Sequence, residues 1–156
     1  MLIRLLLTSL LIITSLSAKN LSPWGDAKVI NKEYKPQKVL YDVDYGSLEK
    51  LSNILDRVSL LNKLYKADSF NSSIVVILHG GSIPFFAKEN AKKYQALVKR
   101  AYNLTLYDII EFRMCKAAAK AMHYEAKDIH GFISMVPMAD AEIVYLQKEQ
   151  GYAYMR

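Results

Sequence analysis

One thiol dominates the chemistry open to this 156-residue chain. Cys115, its single cysteine, follows the β-branched and aromatic run 107–114 (YDIIEFRM) and precedes the alanine-rich run 116–122 (KAAAKAM). The first run reads as a strand and the second as the start of a helix. The thiol is therefore expected at a strand-to-helix turn, where backbone N–H groups and the helix dipole favour an anion. Such a setting favours the thiolate, the nucleophilic form of cysteine. Arg113 and Lys116 flank the thiol and, pointing inward, would act in the same direction. The competing reading is a buried, inert thiol, a common state of free cysteine.

Two further groups of residues fall where the same sheet edge is expected. His79, Gly80 and Gly81 follow the apolar run 73–78 (SIVVIL), and Asp42 and Asp44 end the run 38–44 (KVLYDVD). A His-Gly-Gly loop can let an anion approach the backbone, although paired glycines after a strand also make an ordinary tight turn. The carboxylates carry the plainer reading of a strand end. His79, Gly80, Gly81, Arg113 and Lys116 form the candidate substrate-binding set around Cys115.

The elements that position these residues alternate along the chain. After the strand 38–44, Leu48, Leu51, Ile54, Leu55, Val58, Leu61, Leu64 and Tyr65 fall on one helical face. Gly46 and Ser47 supply the turn and a cap for that helix. The run 73–78 is almost continuously apolar, as a parallel strand buried on both faces must be. Helical spacing returns at Ala87, Ala91, Tyr94, Leu97, Val98 and Ala101, and Asn103 and Leu104 close that helix. The third strand, 107–114, leads into Cys115. A short strand over 133–136, a helix over 138–150 ended by Gly151, and a closing strand over 152–155 complete the domain. This alternation predicts a three-layer α/β/α domain with a mostly parallel sheet of about five strands. Ligands gather at the carboxyl ends of strands in such sheets, and the three candidate groups converge on that edge.

Residues 1–18 read as a secretory signal peptide. A short basic start, Met1 to Arg4, precedes an apolar core over 5–14 (LLLTSLLIIT), and Ser15, Ser17 and Ala18 supply small residues for cleavage. The apolar stretch falls short of the about 20 residues a membrane span needs. An uncleaved anchor is the alternative. A periplasmic or secreted protein is expected, with no stable membrane span after cleavage. Residues 19–37 contain Pro23, Gly25 and Pro36 with no sustained period and read as a flexible segment, leaving 38–156 as the domain. Trp24 stands alone in that segment.

Composition excludes several function classes. With one cysteine the chain forms no internal disulfide, and a domain of this length buries a core without one. The net charge of +6 is spread over lysines with acids between them, so nucleic-acid binding is not expected. There is no G-x-S-x-G nucleophile elbow, so the His-Gly-Gly loop does not serve an α/β-hydrolase. GxGxxG and GxxxxGK[ST] are absent too, and nucleotide binding has no motif support. His123 and His130 are too isolated to build a metal motif with His79 or Cys115. No cofactor and no metal are expected. Asn20, Asn71 and Asn103 each begin an N-x-[ST] pattern, which matters only in a host that glycosylates.

The order strand, helix, His-Gly-Gly loop, strand, cysteine resembles the DsrE/DsrF-like family of sulfur-relay proteins. Residues 132–156 (FISMVPMADAEIVYLQKEQGYAYMR) resemble the closing segment of its exported branch, with Val-Pro, a helix, Leu-Gln and a Gly-Tyr-Ala-Tyr close. The resemblance covers most of 38–156. It implies that Cys115 accepts sulfane sulfur as a persulfide and passes it to a partner thiol, a sulfurtransferase-like activity. It implies a homo-oligomer, trimer or hexamer, and a thiol-bearing donor or acceptor protein. Export would remove the cytoplasmic relay partners of the family. The alternative is a non-catalytic oligomeric module that binds a small ligand or partner, with a structural Cys115.

Overall fold

The computed structural model describes residues 24–156; the expected signal peptide and residues 19–23 lie outside the described residues. Residues 24–37 form no helix or strand, and Trp24 is exposed. No helix among the described residues is long and apolar enough to cross a membrane.

Among the described residues five strands form one sheet: β1 (Lys38–Val43), β2 (Ser73–Leu78), β3 (Ile110–Cys115), β4 (Ile133–Val136) and β5 (Ala153–Met155). Their spatial order is β4-β3-β2-β1-β5, and every pairing is parallel. The expected mostly parallel sheet is thus wholly parallel. The central β2 is apolar throughout because both of its faces are covered. β3 starts three residues later than the run 107–114 implied. Tyr107 is exposed and Asp108 adopts a positive φ of 55°, so a turn occupies the residues whose composition suits a strand.

Four α-helices among the described residues flank the sheet: α1 (Leu48–Leu64), α2 (Gln95–Thr105), α3 (Lys116–Ala121) and α4 (Ala139–Lys148). Ser47 caps α1, its side chain accepting the Lys50 N–H, and Leu51, Ile54, Leu55 and Val58 form the buried stripe. Each such side chain contributes about 1.5–3 kcal/mol on burial. The expected helix over 87–104 is shorter at its start. Residues Gly80–Phe86 and Lys88–Asn90 are 3-10 helices, and Ala87 between them is extended. Pro84 lacks an N–H, and Ala87 instead bridges Ile129, so a continuous α-helix begins only at Gln95. Ala87 and Leu97 are still buried, so the apolar spacing reported burial correctly and helix type incorrectly.

The sheet separates two apolar cores. Val39, Tyr41, Val43, Val76, Phe112 and Met114 pack against α1, α2 and the 3-10 segment. On the opposite face Leu40, Val75, Ile77 and Cys115 pack against Ala139 and Leu146 of α4. These layers make the three-layer α/β/α architecture that the alternation implied.

Candidate functional site

Register sets the site before any side chain is considered. Leu78 pairs with Met114 across β2 and β3, so the next residues, His79 and Cys115, emerge level at the carboxyl edge. Asp42 pairs with Ile77, and Leu40 pairs with Tyr154. Side chains alternate along a strand. Asp42, His79, Arg113, Cys115 and Tyr154 therefore share the α4 face of the sheet.

Cys115 ends β3 and caps α3. Its Sγ accepts the Ala118 N–H at 3.4 Å, the anion-favouring contact expected of a strand-to-helix turn. The helix it caps has six residues, so the local N–H matters more than a long dipole. The residue is 5 % exposed and packs beside the small Ala118, so a reactant reaches the sulfur only if the surrounding side chains move. The Ala117 N–H donates to Pro137 O and ties the turn to the start of α4.

The two flanking cations have different fates. Lys116 is exposed and makes no ion pair among the described residues. Arg113 lies on the Cys115 face but is held by carboxylates, with Nη1 2.5 Å from Glu142 of α4 and Nη2 2.7 Å from Glu111. Burial alone would lower the affinity of its guanidinium for a proton, but the two carboxylates outweigh this and raise it. Its charge is thus largely satisfied within the fold, and it anchors α4 to β3.

Asp42 is the centre of a polar cluster that joins β1, β5 and His79 at the end of β2. The His79 Nε2 lies 2.6 Å from Asp42 Oδ1, and the Tyr154 hydroxyl donates to Asp42 Oδ2 at 2.6 Å. The phenol's proton is held more tightly than usual, chiefly by that hydrogen bond to the carboxylate. With Nε2 engaged by Asp42, the Nδ1 of His79 has no protein partner among the described residues. Arg156 approaches Asp44 at 3.6 Å, so the C-terminal segment contacts both Asp42 and Asp44.

Gly80 and Gly81 are explained by the loop itself. Gly80 has φ +51°, and a Cβ on Gly81 would sit 2.6 Å from the backbone nitrogen of Gly46. The β1–α1 loop therefore packs directly on the glycine backbone, and Gly81 N–H donates to Asp44 O. Buried Ser82 adds a shared hydroxyl contact to Val43 O and His79 O, at 3.0 and 2.8 Å. These contacts fix the direction in which His79 leaves β2.

The structure thus brings His79, Gly80 and Gly81 to the same sheet edge as Cys115, with Lys116 at its rim and Arg113 committed to α4. Sequence reading placed Asp42 at a strand end without a role and passed over Ser82 and Tyr154. Asp42 and His79 are 37 positions apart, and Asp42 and Tyr154 are 112 apart. The only available signal was the shared strand-end position of the first two. Among the described residues no three His, Cys, Asp or Glu side chains are placed to hold a metal ion.

The sequence profile described as DsrE/DsrF-like family matches residues 52–156, more than half of the chain and inclusive of His79 and Cys115. A solved structure of a protein of unknown function from Methanobacterium thermoautotrophicum superposes with a TM-score of 0.62 at 18 % identity, covering 77 % of this chain and 98 % of that one. That likeness concerns the fold. No curated protein matches. Sheet order, the strand-end cysteine and the profile match agree, and the chain belongs to the DsrE/DsrF-like family.

Proposed function

We propose that this protein is an exported sulfur carrier in which Cys115 accepts sulfane sulfur as a persulfide and hands it to a thiol on a partner. The family is generally associated with sulfur relay. The observation that carries the reading is the placement of Cys115 Sγ at the carboxyl end of β3, accepting the Ala118 N–H. In the forward step the Cys115 thiolate attacks the outer sulfur of a donor persulfide or polysulfide. A new S–S bond forms at Cys115, the donor's S–S bond breaks, and the donor leaves as a thiolate. Transfer to the acceptor thiolate repeats the exchange in the other direction, with no net oxidation. His79, held by Asp42, lies on the same sheet face.

A homo-oligomer, trimer or hexamer, and a thiol-bearing donor or acceptor belong to the same proposal, as does export through residues 1–18. A second reading is favoured by the burial of Cys115: a structural thiol in a small-ligand or partner-binding module. Intact-mass spectrometry after exposure to polysulfide separates the two. A carrier gains about 32 Da per sulfur, reversibly with added thiol, and Cys115→Ser gains none. A native protein that takes up no sulfur, with a thiol alkylated only after unfolding, would establish the structural reading.

A further inference from the structure

A groove on the other side of the molecule, away from the strand-end cluster, has a different character. It occupies about 620 Å³ between α2 and the segment that enters β4. One wall is a helical stripe of α2, with Gln95, Val98, Lys99 and Tyr102 at i, i+3, i+4 and i+7. The opposite wall is His130, Gly131 and Phe132. The rings form a continuous surface: Tyr102 meets Phe132 edge-on with centroids 5.9 Å apart, and His130 stacks on Phe132 at 6.2 Å. Burial, with help from Lys88, lowers the proton affinity of His130, so at neutral pH its ring is an uncharged part of this wall.

Charge makes the groove selective. Lys92 and Lys99 stand exposed at its rim, and neither makes an ion pair or hydrogen bond within the described residues. No carboxylate lines it. A cleft of a few hundred Å³ with a mainly apolar lining and a few convergent polar groups has the dimensions of a small-molecule site. The apolar lining calls for a flat aromatic or short acyl body, and the two unpaired ammonium groups call for an anionic head.

We infer that the α2–β4 groove binds a small amphiphilic anion, its apolar body lying on Val98, Tyr102 and Phe132 and its carboxylate or sulfonate between Lys92 and Lys99. This site is separate from the Cys115 cluster and does not rest on sulfur transfer. Gly131 provides an independent way to close it. Its φ lies outside the left-handed region, and a Cβ built there meets nothing within 4 Å, so a larger side chain fits the fold while filling the groove.

The test is a fluorescence titration of the full chain with anilinonaphthalene sulfonate, followed by displacement with decanoate. Saturable binding of one equivalent is expected, weakened about ten-fold in the double variant Lys92→Glu/Lys99→Glu and abolished in Gly131→Leu. Reversing two distant lysines, Lys63→Glu/Lys148→Glu, leaves it unchanged. Should the lysine variant fail to fold, Gly131→Leu alone decides. Absence of saturable binding, or equal binding by all variants, overturns the inference. So does self-association that covers the groove, seen as probe binding only when sedimentation shows the chain dissociated.

Discussion

On one face of the sheet, α1, α2 and the 3-10 segment enclose Phe86, Phe112, Leu55 and Ile83, all essentially inaccessible to water. On the other, Ala139, Ile143 and Leu146 of α4, with Ala118 and Tyr152, pack against Leu40, Val75 and Ile77, and the same face carries Asp42, His79, Arg113 and Cys115. The first face holds the larger apolar cluster, and the second combines a smaller one with polar groups. The polar strand-end cluster thus sits on the face with the smaller apolar core, where Cys115, though buried, keeps a backbone N–H as a hydrogen-bonding neighbour.

The sharpest test of that contrast compares truncations on the two faces. Phe112→Ala removes a ring that packs on Phe86 and Phe132 and should cost about 3–5 kcal/mol by denaturant unfolding. Leu146→Ala, on the α4 side, should cost about 2 kcal/mol, at the low end for such a change, because a thinner layer collapses more easily onto the gap. Equal losses would end the distinction between the faces.

The loop beneath His79 should be nearly as sensitive. Gly81→Ala places a methyl against the Gly46 backbone, which is not a flexible side-chain end. A loss of about 1–3 kcal/mol is expected, together with a changed His79 ring signal in NMR. An unshifted ring would show that the glycines do not direct the histidine.

Tyr154→Phe removes one hydrogen bond to Asp42 on an exposed strand. Its expected cost is about 0.5–1 kcal/mol, and the His79 ring should become more mobile.

The smallest effect belongs to His130, on the α2–β4 side. Its folded pKa is depressed by burial and by Lys88. Below the ordinary histidine value of 6.5 the unfolded chain binds a proton that the folded chain resists. The stability it contributes is fully present above that value and is lost as pH falls through the depressed folded value. His130→Phe should flatten the fall of the melting temperature as pH drops below 6.5, relative to the parent chain. An unchanged slope would place the titration elsewhere.

Much of this architecture was legible from local pattern. The apolar run of β2 matches its observed bounds because a doubly buried strand leaves no polar position to blur them. The stripe of α1 was readable because one face of a regular helix meets one face of a sheet. The helix over 87–104 was misread at its start for a physical reason: burial repeats every three to four residues in α- and 3-10 helix alike. Pro84 and the bridge from Ala87 to Ile129 decide between them, and that bridge joins residues far apart in the chain.

For the site, the division is similar. Sequence alone determined that one thiol ends a buried strand, that His-Gly-Gly ends its neighbour, and that the sheet is built from alternating units, because each rests on residues adjacent in the chain. Tertiary structure decided the partners. Arg113 turned to Glu142 rather than serving the thiol, and Asp42 drew in both His79 and Tyr154. Those choices depend on strand register and on which face each side chain takes, and a change of one residue in register reverses every face.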